Sequence, residues 1–199
     1  LVMQDKLDMQ HTLLKEISEI IAGYTFREAL KNDPDGKTRV ISAKNINDVN
    51  NKINYSDLSY LNIPLVRTNA FIEKNDVLLS SRGVFRAGVY YEDDENTLAA
   101  SSIFILRINN KNVMPEFLSI YLNSQLGQFD IQQKLTGSTI KTILRKDLES
   151  LVIPLPPLSV QKEVVEINLN WEQREKLLNQ KINLSKSVAD GAIKQLLTT

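Results

Sequence analysis

Two stretches of the chain carry cationic side chains with no carboxylate among them. Residues 77–91 hold Arg82 and Arg86 beside Ser80, Ser81 and Gly83. Residues 131–146 hold Lys134, Lys141, Arg145 and Lys146, with Gly137, Ser138, Thr139 and Thr142 between them. This mixture suits an anionic ligand with an extended backbone. Glycine allows close main-chain approach, hydroxyls satisfy phosphate oxygens, and Lys or Arg neutralises them. An arginine in such a loop can also reach O6 and N7 of guanine in bidentate fashion. Lys44 and Asn45 end a strand-like run and are the next candidates, because an Asn amide can read N6 and N7 of adenine. Composition alone leaves a solvated loop as the competing account of each stretch.

The rest of the chain offers little catalytic chemistry. Its single histidine, His11, has no cysteine or acidic ligand at metal-binding spacing and reads as structural or exposed. Glu92, Asp93, Asp94 and Glu95 form an acidic run that reads as a solvated turn tip ahead of a divalent-cation site. No phosphate-cradling glycine loop, nucleophile elbow or paired-histidine metal motif occurs, and one histidine makes a serine hydrolase triad improbable. The absence of cysteine excludes disulfides, zinc-thiolate sites and thiol nucleophiles. No catalytic residue, metal or cofactor site is therefore assigned.

These candidates need elements to position them. The chain has 199 residues, enough for one domain and an extension. Lys plus Arg equals Asp plus Glu at 24 each, so an anionic partner must be held by a local patch and not by a global basic field. The first ten residues lack the pattern of a secretory signal, and no apolar run approaches a membrane span. The expectation is a soluble, unexported, cytoplasmic protein with no membrane partner.

Leu13, Leu14, Ile17, Ile20 and Ile21 recur at helical or short-strand spacing before Gly23 breaks the pattern. After a turn rich in Asn, Asp, Pro and Gly, the runs RVISAKNIN, LVRTNAFI, DVLLSSRG, AGVYYEDD and SSIFILRIN read as short strands of a mainly β domain. Residues 115–130 read as one helix packed on the sheet, with Pro115 at its start. From Ser159 the texture changes. Val160, Val164, Ile167, Trp171, Leu178, Ile182, Ser185, Ala189, Ile193 and Leu196 lie at helical spacing along one stripe, and Leu177, Leu184 and Val188 form a second. The reading is a helix of about forty residues, or ~60 Å, capped by Ser159 and paired with another helix. A helix folded back on its own domain is the alternative. The fold class is α+β, with a domain over residues 1–158 and a long helix over residues 159–199.

At this point the chain resembles a known family. Glu19-Ile20-Ile21-Ala22-Gly23-Tyr24-Thr25-Phe26-Arg27 stands where that family has an apolar-apolar-x-Gly-x-x-Phe opening, followed by a strand ending in Lys44-Asn45-Ile46. DVLLSSRG at residues 76–83 is similar to its strand and turn. Gly137-Ser138-Thr139 through Leu148, then Ile153-Pro154-Leu155-Pro156-Pro157-Leu158 and Gln161, match its closing signature. The family is that of the specificity subunits of Type I restriction-modification enzymes, and the similarity spans nearly the whole chain.

The resemblance implies a target recognition domain that reads a double-stranded DNA half-site, and a spacer helix packed antiparallel on another in a coiled coil. It implies a non-catalytic chain that works with modification and restriction subunits, which hold S-adenosylmethionine, ATP and magnesium. A typical member carries two recognition domains and two spacers, whereas this sequence has one of each. It is therefore either a natural half-subunit that forms a homodimer or a fragment of a longer protein. The DNA candidates are Lys44, Asn45, Ser81, Arg82, Arg86, Lys134, Ser138, Thr139 and Lys141. The helix seam candidates are Val164, Ile167, Trp171, Leu178, Ile182, Ala189 and Leu196. An assembly protein that uses the helix without reading DNA is the alternative function.

Overall fold

The computed structural model describes residues 9–26, 32–47, 52–62, 68–136 and 140–198. Arg27, Ser138 and Thr139 lie outside the described residues. In chain order the elements are β1 (Gln10–Leu13), α1 (Leu14–Ile17), β2 (Ser18–Ala22), β3 (Thr38–Ile41), β4 (Ser59–Leu61), β5 (Val77–Ser80), β6 (Ala87–Val89), β7 (Thr97–Ala99), β8 (Ile103–Ile108), α2 (Pro115–Asn123), α3 (Gln125–Gln132), α4 (Arg145–Glu149), β9 (Val152–Leu155) and α5 (Leu158–Leu197). The chain divides into two compact units, Leu1–Lys162 and Glu163–Thr199.

The first unit is built on an antiparallel sheet of order β2-β8-β5-β6. Ile103, Phe104, Ile105 and Leu106 of β8 are all buried, which explains why this strand is a continuous apolar run instead of an alternating one. A second sheet, β4-β3-β7, pairs β3 antiparallel with β4 and parallel with β7. Side chains of both sheets, including Ile21, Ile41, Leu78, Tyr90, Ile103 and Ile105, share one hydrophobic cluster.

Gly23 lies where the chain passes from one sheet to the other. Its N–H donates to Ile103 O at 2.9 Å, and Tyr24 N–H donates to Ala99 O at 2.7 Å. A Cβ on Gly23 would lie 2.0 Å from Ala100 O, so the glycine of the opening motif is required by close backbone approach.

Several sequence expectations are corrected. Residues 115–130 are two helices and not one, because Ser124 is extended (φ −68°, ψ 162°) and its hydroxyl accepts from Gly127 N–H to cap α3. The described part of LVRTNAFI forms no strand and touches the sheet through an isolated bridge from Phe71 to Leu98. Pro154 is part of β9, opposite His11 of β1, in a two-stranded sheet where a missing donor is tolerated. The long helix begins at Leu158, so Ser159 is inside its first turn and does not cap it. Val160 and Gln161 N–H instead donate to Pro157 O, at 3.0 and 3.1 Å.

The closing glutamine is fully buried. Its Oε1 accepts from Met114 N–H at 2.9 Å, and its Nε2 donates to Asn112 O at 2.7 Å and Pro156 O at 2.9 Å. Gln161 thus ties the start of α5 to the loop ahead of α2. The helix has 40 residues, close to the expected length. Among the described residues no helix is long and apolar enough to cross a membrane.

Candidate nucleic-acid interface

The site begins at the β5–β6 hairpin. Ser80 is buried at the end of β5, where its hydroxyl donates to Val84 O at 2.6 Å and accepts from Arg86 N–H at 2.8 Å. Ser80 N–H also donates to Arg86 O at 3.0 Å. One serine therefore fixes both ends of the turn. Gly83 at its tip has φ +75°, a left-handed conformation that glycine adopts without steric cost.

The second basic stretch is stitched to this turn by main-chain bonds. Gly83 N–H donates to Lys141 O at 2.9 Å and Ile143 N–H donates to Ser81 O at 3.1 Å, with Arg82 bridged antiparallel to Thr142. Thr142 also exchanges both backbone bonds with Thr136, at 2.9 and 3.0 Å. Two segments separated by the rest of the sheet and two helices thus meet as a short ribbon.

Arg82 and Lys141 are exposed on this ribbon, and among the described residues neither is paired with a carboxylate. Arg86 is half-buried at the base of the turn. Ser81 contributes its backbone only: the side chain is buried and its hydroxyl is 3.3 Å from Ser101 O. Lys134 does not extend to the ribbon surface but donates to Ser150 Oγ at 3.1 Å. It lines a cavity of about 500 Å³ with His11, Tyr121, Asp130 and Gln133.

Tyr121 donates to Asp130 Oδ2 in that cavity at 2.6 Å. Burial pushes its phenol above the usual tyrosine range, and the hydrogen bond to Asp130 and its charge push the same way. The effect stabilises the neutral phenol and supplies no activated nucleophile.

Lys44 and Asn45 are less suited to reading bases than their sequence position suggested. Asn45 is only 1% exposed. Its Oδ1 accepts from Ser42 N–H and Oγ, and its Nδ2 donates to Asp57 O at 2.8 Å, so the amide is committed to closing a single helical turn. Lys44 is exposed and ion-paired with Asp57 at 3.1 Å.

The acidic run is also more than a solvated tip. Arg39 of β3 pairs with Glu92 and Asp94, both at 2.5 Å, and donates to Tyr90 Oη and Thr97 Oγ1. Burial opposes the charge on Arg39, but Glu92, Tyr90 and Asp94 outweigh it and raise its pKa. Among the described residues no group of three or more His, Asp or Glu side chains could hold a metal ion.

The second unit presents the expected stripe. Ile167, Trp171, Leu178, Ile182, Ala189 and Leu196 are exposed, as are Leu177, Leu184 and Val188, whereas Val164 is half-buried. Trp171 is 62% exposed, unusual for a large indole without a covering partner.

Residues 6–184 match a family model described as the Type I restriction modification DNA specificity domain. The chain is 28% identical over 168 residues to the Type I restriction enzyme EcoBI specificity subunit of Escherichia coli, covering 80% of this chain and 35% of that protein. It is 23% identical over 136 residues to the MjaVIII specificity subunit of Methanocaldococcus jannaschii, covering 68% and 31%. The chain thus spans about a third of the length of these relatives. Its fold is similar to the crystal structure of a Type I restriction-modification S subunit from M. genitalium, with TM-score 0.56 and 18% identity over 90% of this chain and 43% of that one. The HsdS subunit from Thermoanaerobacter tengcongensis gives TM-score 0.58 and 19% identity over 86% and 39%.

Proposed function

The chain belongs to the Type I restriction modification DNA specificity domain family, and on that premise we propose that its globular unit reads a short half-site in double-stranded DNA. It directs modification and restriction subunits to a bipartite sequence and performs no chemistry itself. The observation that carries this reading is the ribbon joining Arg82 to the Lys141 segment, which holds two cations on a main-chain frame. S-adenosylmethionine, ATP and magnesium belong to the partner subunits, and the assembly works in the cytoplasm.

The long helix sets the gap between half-sites by packing antiparallel on a second such helix, from another copy or another part of a longer chain. The seam is Val164, Ile167, Trp171, Leu178, Ile182, Ala189 and Leu196, supported by the exposure of all but Val164. The same stripe favours the second reading, an assembly protein that binds no DNA.

The test is DNA affinity and methylation specificity of the complex reconstituted with modification subunits. Replacing a base-reading Arg82 by alanine should cost about 1 to 3 kcal/mol and relax one position, whereas replacing a phosphate-holding Lys141 should weaken all sequences and flatten the salt slope by about one. If both variants match the parent, the assignment is wrong. Light scattering of the same chain with and without the helix separates a helix-mediated dimer from a monomer.

A further inference from the structure

We propose that Val84 and Ile140 form an apolar contact that reads the methyl group of a thymine in the DNA major groove, an inference that rests on the DNA-reading role above. Val84 is 63% and Ile140 62% exposed, although both are fully apolar. Gly83 N–H donates to Lys141 O at 2.9 Å, and Val84 follows Gly83 as Ile140 precedes Lys141, so both apolar residues flank the main-chain bond at one end of the junction. Neither side chain can bind phosphate, so beside Arg82 and Lys141 their contact with DNA would fall on the apolar part of a base.

The DNA partner follows from the chemistry. Among the four bases only thymine offers the major groove an apolar group, its C5 methyl. That groove is wide enough to admit extended main chain, the kind of backbone that the Arg82–Thr142 bridge joins. Arg82 and Lys141, next in the chain to Gly83 and Ile140, would hold the phosphates or purine edges alongside. The turn is held by its own bonds: Ser80 Oγ donates to Val84 O, the left-handed Gly83 sets the bend, and Gly83 N–H donates to Lys141 O. Little conformational freedom would remain to be lost on binding.

The experiment uses the complex reconstituted with modification subunits and the sequence identified from its methylated motif. Each thymine of that sequence is replaced in turn by deoxyuridine, which removes the methyl and leaves the pairing edge intact. Fluorescence anisotropy should show a loss of about fourfold at one position, the size of burying one methyl group. Val84→Ala and, separately, Ile140→Ala should weaken the thymine duplex by a similar factor and abolish its sensitivity to deoxyuridine. A flat deoxyuridine scan, variants that keep the parent's sensitivity, or a recognition sequence without an A·T pair overturns the inference while leaving DNA reading in place. A complex with no sequence preference overturns both. Uniform weakening by Val84→Ala on every duplex assigns the pair to a wedge or a protein contact, and also overturns it.

Discussion

Replacing Gln161 by leucine tests whether the glutamine of the closing signature is a clamp. The parent side chain is fully buried and makes three hydrogen bonds, to Met114 N–H, Asn112 O and Pro156 O. Leucine keeps similar bulk but removes all three, leaving a donor and two carbonyls unpartnered. At about 1 kcal/mol of net stability per bond, the loss is about 3 kcal/mol. That is a large share of the 5 to 15 kcal/mol, roughly, that holds a domain folded. With an m-value of about 2 kcal/mol/M, the urea midpoint should fall by about 1.5 M. Near-UV circular dichroism follows the globular unit through buried aromatics such as Tyr90. Amide exchange adds a local readout, because Met114 N–H loses its acceptor and should exchange about tenfold faster for a local loss of about 1.4 kcal/mol. A midpoint shift below about 0.3 M, with Met114 protection unchanged, would refute the clamp.

Two further substitutions probe the frame. Gly23→Ala would place a Cβ 2.0 Å from Ala100 O and push the two sheets apart. A cost of about 2 kcal/mol should lower the thermal midpoint by about 6 °C, and an unchanged midpoint would remove the steric argument. Tyr121 has a folded pKa raised from its ordinary 10.0, chiefly by burial and then by Asp130. The folded state therefore holds its proton where the unfolded state releases it, and the stability present below pH 10 falls as pH rises from there towards the raised folded value. Tyr121→Phe should flatten this alkaline decline in urea midpoints measured above pH 10. Tyr55 and Tyr90, also raised by burial, will leave part of the slope. An identical slope in parent and variant would show that Tyr121 contributes nothing to it.

The elements most legible in the sequence were those set by local periodicity and punctuation. β8 and the long helix follow from IFILRI and from apolar residues at helical spacing, and both lie near their expected bounds. The helix break at Ser124 escaped because no Pro or Gly stands there; its signal was a serine three residues before Gly127, a cap inside an otherwise helical pattern. Other features depend on distant partners. Arg39 pairs with Glu92 and Asp94 of the acidic run from a strand more than fifty residues earlier. Arg107 binds Asp76 through two bonds of 3.1 and 2.9 Å, which no spacing rule connects. Asn45 read as a base contact because its burial is decided by Asp57 O, a backbone group in the next turn.

The same distinction bears on how a recognition surface could change without changing the fold. Ser81, Asn45 and Lys134 have side chains engaged within the unit, so substituting them disturbs internal bonds before it alters any ligand contact. At the ribbon the bonding is reversed. Gly83 N–H to Lys141 O, Ile143 N–H to Ser81 O and the Arg82–Thr142 bridge are main-chain interactions, which any residue able to adopt the backbone supplies. Arg82, Val84, Ile140 and Lys141 therefore hang on a frame that does not use their side chains, and all four are exposed. Gly83 is the exception, since its positive φ must be kept. A surface built this way can exchange cations, apolar groups or amides at those four positions at little cost to stability, which is the physical requirement for a scaffold whose sequence preference changes while its architecture stays.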